Sequence, residues 1–251
     1  MSVVLTVFNQ KGGVGKTTTV VNLAAALVLK NKKVLVVDMD PQGNSTSGLG
    51  LFEFDNMIYD FLIDKNKDSI YNTKTQKLDI IPASGEFAGV EIELAQRGDW
   101  QFDLKEVLDQ VKDNYDFVII DSPPSLGILS MMSLVASDKI LIPVQCEYYA
   151  LEGVSQLMDT ITLVRENFNK DLSILGVVMC MFDGRTNLSL QVVDEVKSFF
   201  KDKVFRSVIP RNVRLAEAPS FGMNIFEYDK NSKGAKAYLS LAEEIIGEIN
   251  D

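Results

Sequence analysis

The sequence predicts an α/β fold, a doubly wound, mostly parallel sheet with helices on both faces. Short apolar, β-branched runs recur at 3–8, 33–37, 78–82, 117–120, 139–144 and 174–181, and more weakly at 204–209. They lack polar alternation, as strands buried on both faces do. Helical spacing of apolar residues fills the intervals, at 17–29, 86–97, 101–113, 126–135, 150–168, 187–201 and 232–249. Strands alternating with helices imply βαβ units. No stretch rich in Pro, Gly or Ser divides the chain, so residues 1–251 are read as one domain.

Composition narrows the function classes. The 251 residues carry 35 acids and 25 bases, a net charge of −10, which argues against uniform polyanion binding. There is no histidine, so the commonest general base and zinc ligand is missing. Two cysteines, Cys146 and Cys180, are too few for a disulfide scaffold or a four-thiolate metal site. A reduced, cytoplasmic setting fits them. No run of 18 apolar residues exists, so no transmembrane helix is expected. The first ten residues lack a basic n-region and read as a strand, not a signal peptide.

In parallel sheets ligands sit at the carboxyl ends of strands, so the segments just after each run matter most. The first run, Val3–Phe8, leads into Lys11-Gly12-Gly13-Val14-Gly15-Lys16-Thr17-Thr18. The end of this string matches the phosphate-loop pattern G-x-x-x-x-G-K-[ST], but Gln10 stands where the first glycine should be. Such glycines let successive N–H groups face phosphate oxygens, and the following helix adds its N-terminal dipole. Lys16 would bridge the β- and γ-phosphates, and the Thr17 hydroxyl would hold Mg²⁺. Gly12 belongs to the same cradle, and valine there would be strained if its backbone adopts positive φ.

The second run ends in Val37-Asp38-Met39-Asp40-Pro41-Gln42-Gly43-Asn44. Asp40 falls beside the presumed phosphates. An ordinary aspartate, with a pKa of about 3.9, is a weak base, so Asp40 is expected to orient the attacking water and to lie near the metal. Phosphoryl transfer through a loose transition state needs little base strength. The run at 117–120 ends in Asp121-Ser122-Pro123-Pro124, and Asp121 is the Walker B candidate for Mg²⁺, reached through water. The same carboxylate could instead cap the next helix.

Lys11 is the departure that narrows the reading. A second lysine at the start of the loop is not needed to hold phosphates within one chain. The string carries the deviant Walker A signature, and the chain resembles the ParA/MinD superfamily of P-loop ATPases. Within it, the Asp38–Asn44 string resembles the ParA branch, and the whole chain is most similar to chromosomal ParA proteins of the Soj type. Further resemblance lies in Gln145–Gly153, which looks like the family's segment at the dimer face. It continues in Ile209-Pro210-Arg211-Asn212-Val213-Arg214-Leu215-Ala216-Glu217-Ala218-Pro219-Ser220, which looks like the segment beside the adenine.

The resemblance implies an ATP-dependent homodimer in which Lys11 reaches the partner's nucleotide in trans. It implies Pro210 and Asn212 as adenine contacts, with Met181 against the same ring. Residues 185–236 carry +4, leaving −14 for the rest. Arg185, Arg214, Lys230, Lys233 and Lys236 lie in that segment and are the candidate DNA contacts, reading backbone phosphate without sequence preference. A ParB-like activator and a nucleoid-associated location in the cytoplasm complete what the resemblance implies. The loop begins at position 11, so no preceding DNA-reading domain is expected. The rival is a MinD-like ATPase anchored by a basic amphipathic helix. Every charged residue of Leu241–Asp251 is acidic, and anionic lipid would repel it. A P-loop ligase of the dethiobiotin-synthetase kind would need a substrate pocket that the sequence does not reveal. Nitrogenase iron proteins of the same superfamily hold a cluster with two cysteines per subunit, but Cys146 and Cys180 lack the surrounding motif and are expected to be buried thiols.

Overall fold

A computed structural model describes residues 2–147 and 153–250. The chain opens with strand β1 (Val3–Val7), helix α1 (Lys16–Leu29) and strand β2 (Val34–Asp38). Short helices α2 (Asn44–Gly48) and α3 (Ile58–Ile63) precede strands β3 (Tyr71–Asn72) and β4 (Leu78–Ile81). Helices α4 (Val90–Leu94) and α5 (Asp103–Leu108) lead to β5 (Phe117–Asp121), α6 (Ile128–Val135) and β6 (Lys139–Gln145). Then come α7 (Val154–Asn167), β7 (Ser173–Phe182), α8 (Asn187–Phe200) and β8 (Val204–Pro210). Helices α9 (Val213–Glu217), α10 (Ile225–Asp229) and α11 (Lys233–Asn250) close the chain.

The strands form one sheet in the order β3-β4-β2-β5-β1-β6-β7-β8. Every pairing is parallel except that of the two-residue edge strand β3 with β4. This is the doubly wound α/β architecture that the buried runs predict. Alternate residues explain the absence of polar positions. Val34 and Val36 of β2 face one core with α1 and α11, while Leu35 and Val37 face another with α3 to α6. A third cluster seats α7 and α8 on β6 and β7.

The register positions the site. Val7, Asp38 and Asp121 lie in one row across β1, β5 and β2, at the strands' carboxyl ends. The order reverses beside β1, because β2 lies on one side of it and β6 to β8 on the other. Such a switch point opens a crevice for ligand.

The expected helices at 86–97 and 101–113 are shorter than their periodicity implied. A 3₁₀ turn at Gly85–Gly89 replaces the first turn of one, and only Val90–Leu94 is α-helical. A 3₁₀ turn at Trp100–Phe102 precedes α5, which stops at Leu108. Glycines at 85, 89 and 98 lower helical stability here. Residues 148–152, which include the start of the expected 150–168 helix, lie outside the described residues.

Candidate functional site

The loop between β1 and α1 turns through two left-handed glycines, Gly13 at φ +74° and Gly15 at φ +96°. Gly15 is the N-cap of α1, so the first free N–H groups of the helix open toward the crevice. Gly12 does not have positive φ, and a Cβ there would meet nothing within 4 Å. The strain that valine would meet at positive φ does not arise here, and the position is open to a Cβ within one chain.

Lys16 is only 7% exposed. Its Nζ donates to the carbonyl oxygens of Asn9 at 2.8 Å and Lys11 at 3.1 Å. Burial pushes its pKa down, and the carboxylates of Asp121 and Asp40 oppose that push. A buried cation curled over its own loop is free to exchange carbonyls for phosphate oxygens.

Asp121 is fully buried at the end of β5. Its Oδ2 accepts from the Ser45 hydroxyl at 2.7 Å, while its Oδ1 has no hydrogen-bond partner among the described residues. Burial raises its pKa; Ser45, Thr17 and the charge of Lys16 counter the rise. A buried, orphaned carboxylate oxygen beside the Thr17 hydroxyl is the donor set that a hard divalent cation takes. Among the described residues no cluster of three Cys, Asp or Glu could hold an ion alone, so part of its shell would come from phosphate oxygens and water. Asp121 does not cap a helix: α6 begins seven residues later, at Ile128.

Asp40 is 8% exposed and lines one hollow of about 330 Å³ with Gly12, Gly13, Lys16 and Thr17. Its Oδ1 accepts the N–H of Gln42 at 3.0 Å, and its carbonyl accepts that of Gly43 at 2.9 Å. Gly43 is left-handed at φ +62°, and a Cβ there would lie 2.6 Å from the Ala83 oxygen. Only glycine fits the turn presenting Asp40.

Asp38 is a residue sequence reasoning left without a role. It is fully buried and accepts from the Thr46 N–H at 2.9 Å, the Thr46 hydroxyl at 2.7 Å and the Asp40 N–H at 3.2 Å. Burial and the neighbouring Asp121 push its pKa up. It ties the Asp40 turn to α2, which also supplies Ser45 to Asp121. The D-x-D spacing was the available signal, but nothing in it separates the inward carboxylate from the catalytic candidate.

A second, more apolar cleft of about 230 Å³ adjoins the first, sharing Gly15, Thr18 and Met181. Met181, Pro210 and Asn212, proposed from widely separated positions, all line it. Met181 has φ +54°, unusual for a residue with a side chain. The Asn212 Oδ1 accepts the N–H of Arg214 at 2.8 Å, capping α9 and leaving the amide nitrogen as a donor. Tyr238 of α11 also lines the cleft, and its hydroxyl lies 3.2 Å from the Thr19 hydroxyl. No local pattern pointed to Tyr238, because it lies 219 positions from Thr19. A polar hollow continuous with an apolar cleft suits a ligand with a phosphate end and an aromatic end.

Cys180 borders this cleft, and both cysteines are buried free thiols, as expected. Burial pushes each up to about 12, far from thiolate chemistry at neutral pH.

The basic candidates are all exposed. The Arg185 fork is held by Asp183 at 2.7 Å, and Arg214 lies 2.9 Å from Glu217 and 3.7 Å from Asp229. No salt bridge among the described residues reaches Lys230, Lys233 or Lys236. Of the segment at 145–153 expected near a dimer face, Tyr148–Glu152 lie outside the described residues.

The AAA domain family matches residues 2–174. The chain is 54% identical over 249 residues to the sporulation initiation inhibitor protein Soj of Bacillus subtilis, covering 98% of both. It is 48% identical to the chromosome-partitioning ATPase Soj of Treponema pallidum, again covering 98% of both. This chain belongs to the Soj/ParA family of chromosome-partitioning ATPases. Solved structures agree with that fold. Cobyrinic acid a,c-diamide synthase from Mycobacterium smegmatis, with bound ADP and magnesium, superposes at a TM-score of 0.88 with 34% identity, covering 100% of this chain and 96% of that one. The cell division ATPase MinD of Pyrococcus furiosus superposes at 0.78 with 29% identity, covering 98% and 99%. In this Soj/ParA member, the loop and Asp40 line one hollow at the strand ends, and Asp121 is buried at the end of the central strand β5.

Proposed function

We propose that this Soj/ParA ATPase is an ATP-driven dimerisation switch that carries DNA in its ATP-bound state. The observation that carries the reading is the pairing of two lysines on one phosphate loop, Lys16 folded inward and Lys11 at its start, beside a buried carboxylate with an open oxygen. Lys16 and the N–H groups of Gly13 to Thr18 hold the phosphates, with Val14 part of that cradle. Thr17 and Asp121 would hold Mg²⁺, which would supply charge neutralisation to the phosphates. Asp40, lining the same hollow, orients the attacking water. Met181, Pro210 and Asn212 take the adenine. Lys11 meets the nucleotide of a second protomer and stabilises the transferring phosphoryl group from there.

In this reading ATP shifts a monomer–dimer equilibrium, and a ParB-like activator resets it by stimulating hydrolysis. Gly12→Val tests the dimer. A valine fits the open space within one chain, so ATP should still bind with near-normal affinity. The branched side chain should instead block the approach of a second loop. Light scattering with ATP should show a monomer, and an ATP-dependent dimer of this variant would defeat the face-to-face arrangement.

DNA contact is proposed through Arg185, Arg214, Lys230, Lys233 and Lys236, doubled by dimerisation. Four to eight neutralised phosphates, as an order-of-magnitude estimate, give a slope of log K against log salt of roughly −4 to −7. Arg185→Ala or Arg214→Ala should shallow that slope by up to about two units, since each arginine is lost from both protomers. ATP binding should be unaffected. The experiment is ATP-dependent sedimentation with random-sequence duplexes over a salt series. A flat salt response, or equal binding by Gly12→Val, removes the DNA assignment. It would equally separate this reading from a P-loop ligase.

The membrane reading finds less support. Among the described residues no helix is long and apolar enough to cross a membrane. The apolar face of α11, which carries Tyr238, Leu241, Ala242 and Ile245, is buried in the core and not available for a lipid interface.

A further inference from the structure

We infer that Asn9 is a positioning residue for Lys11, setting the loop's first lysine for its reach to a second protomer. The inference rests on the dimer reading above. Asn9 follows β1, and both ends of its side chain are engaged. Its Nδ2 donates to the Pro143 carbonyl of β6 at 2.8 Å, and its Oδ1 accepts the Lys11 N–H at 3.0 Å. The amide therefore ties the backbone of Lys11 to β6, a strand paired on both sides, with β1 and β7.

Among the described residues the other bond to this stretch runs from the Lys16 ammonium to the Lys11 carbonyl oxygen, at 3.1 Å, and phosphate would compete for that ammonium. Lys11 is followed by Gly12 and Gly13, and a Cβ at either would meet nothing within 4 Å. Glycine backbone is conformationally permissive, so a loop without packing would sample many directions for the Lys11 side chain. The Asn9 bridge removes that freedom before any partner arrives, which is how preorganisation strengthens a contact without adding one.

The phosphate cradle depends on Asn9 much less. Lys16 is carried by α1, and its bond to Asn9 uses the backbone oxygen, which any residue supplies. Losing the Asn9 side chain should therefore impair what Lys11 does and spare what Lys16 does.

The test uses the full chain with Asn9→Ala, Asn9→Asp and Lys11→Ala, and the two alanine changes combined. Calorimetric ADP affinity reads the cradle. Sedimentation velocity with ATP reads the dimer, and steady-state turnover reads the completed site. Asn9→Ala should keep ADP affinity within about threefold while weakening the ATP-dependent dimer and turnover on the order of tenfold, the scale of freeing one residue's backbone. Asn9→Asp, which keeps the acceptor for Lys11 but sets a carboxylate against the Pro143 carbonyl, should behave similarly. In the Lys11→Ala background, Asn9→Ala should cause no further loss. An equal fall in ADP affinity would make Asn9 a part of the phosphate cradle and overturn the inference. So would losses that add in full to those of Lys11→Ala, or a dimer unchanged by both Asn9 variants. If Lys11→Ala itself dimerises and hydrolyses normally, the dimer reading fails first. Lys11→Ala defective with Asn9→Ala intact sinks the positioning role alone.

Discussion

Lys16→Ala should abolish measurable nucleotide binding. Lys16 is the one cationic side chain among the backbone donors of the cradle, and its ammonium is nearly buried. Charge-assisted bonds to two phosphates contribute about 3–6 kcal/mol together, so the loss should be roughly 10²–10⁴-fold in affinity. The truncation also leaves Asp40 and Asp121 without the cation that faces both. Those carboxylates then repel the phosphates without the cation that offset both. Lys16→Gln separates the two contributions, because an amide can still donate to a loop carbonyl but carries no charge. It should bind nearly as poorly as alanine. Calorimetric titration with ATP checks the result, alongside a thermal melt to show that each variant is folded. ATP affinity within a few fold of normal for either variant would remove this loop from phosphate binding.

The parts of this site that were legible in the sequence are those compressed into short strings. Lys11 to Thr18 form one local motif, and Asp121 closes a five-residue apolar strand. The long apolar runs announced the interior parallel strands, where burial on both faces leaves few polar positions, while the edge strand β8, with Arg206 exposed, showed only weakly. The helices α2, α3, α9 and α10 are five or six residues long, too short to show a period. Their existence depends on tertiary contacts, as with the Asn224 capping box that starts α10. Asp38 and Asn9 were visible as residue types but not as partners. Their roles come from bonds to Thr46 and Pro143, and the Pro143 bond spans 134 positions of sequence. Charge counting marked residues 185–236 as basic, but it could not show that Asp183 engages Arg185 while, among the described residues, the lysines near α11 make no ion pair. Distances in space decide those differences, and composition averages over them.

Asp40→Ala should keep ATP and the dimer but lose hydrolysis by on the order of 10²-fold or more, the usual contribution of a positioned acid–base group. Asp40 lines the same hollow as Lys16 and Thr17, and its carboxylate is a group there that a bound phosphate does not need as a donor. Alanine removes the acceptor for the Gln42 N–H but leaves the Gly43-to-Asp40 backbone bond and the Gly43–Ala83 contact in place. The turn should therefore survive. Asp40→Asn is the sharper variant, since its amide oxygen can still accept from Gln42. If the carboxylate orients water and takes up its proton, asparagine should be almost as inactive as alanine. If Asp40 only shapes the turn, asparagine should restore turnover. A third role, direct support of Mg²⁺, predicts that both variants need far more magnesium to bind ATP. Size-exclusion with ATP at several magnesium concentrations, paired with single-turnover hydrolysis, separates these cases. A persistent dimer with slow hydrolysis in both variants assigns Asp40 to the chemical step. A monomer in the presence of ATP and saturating magnesium, or unchanged turnover, takes it out of that step.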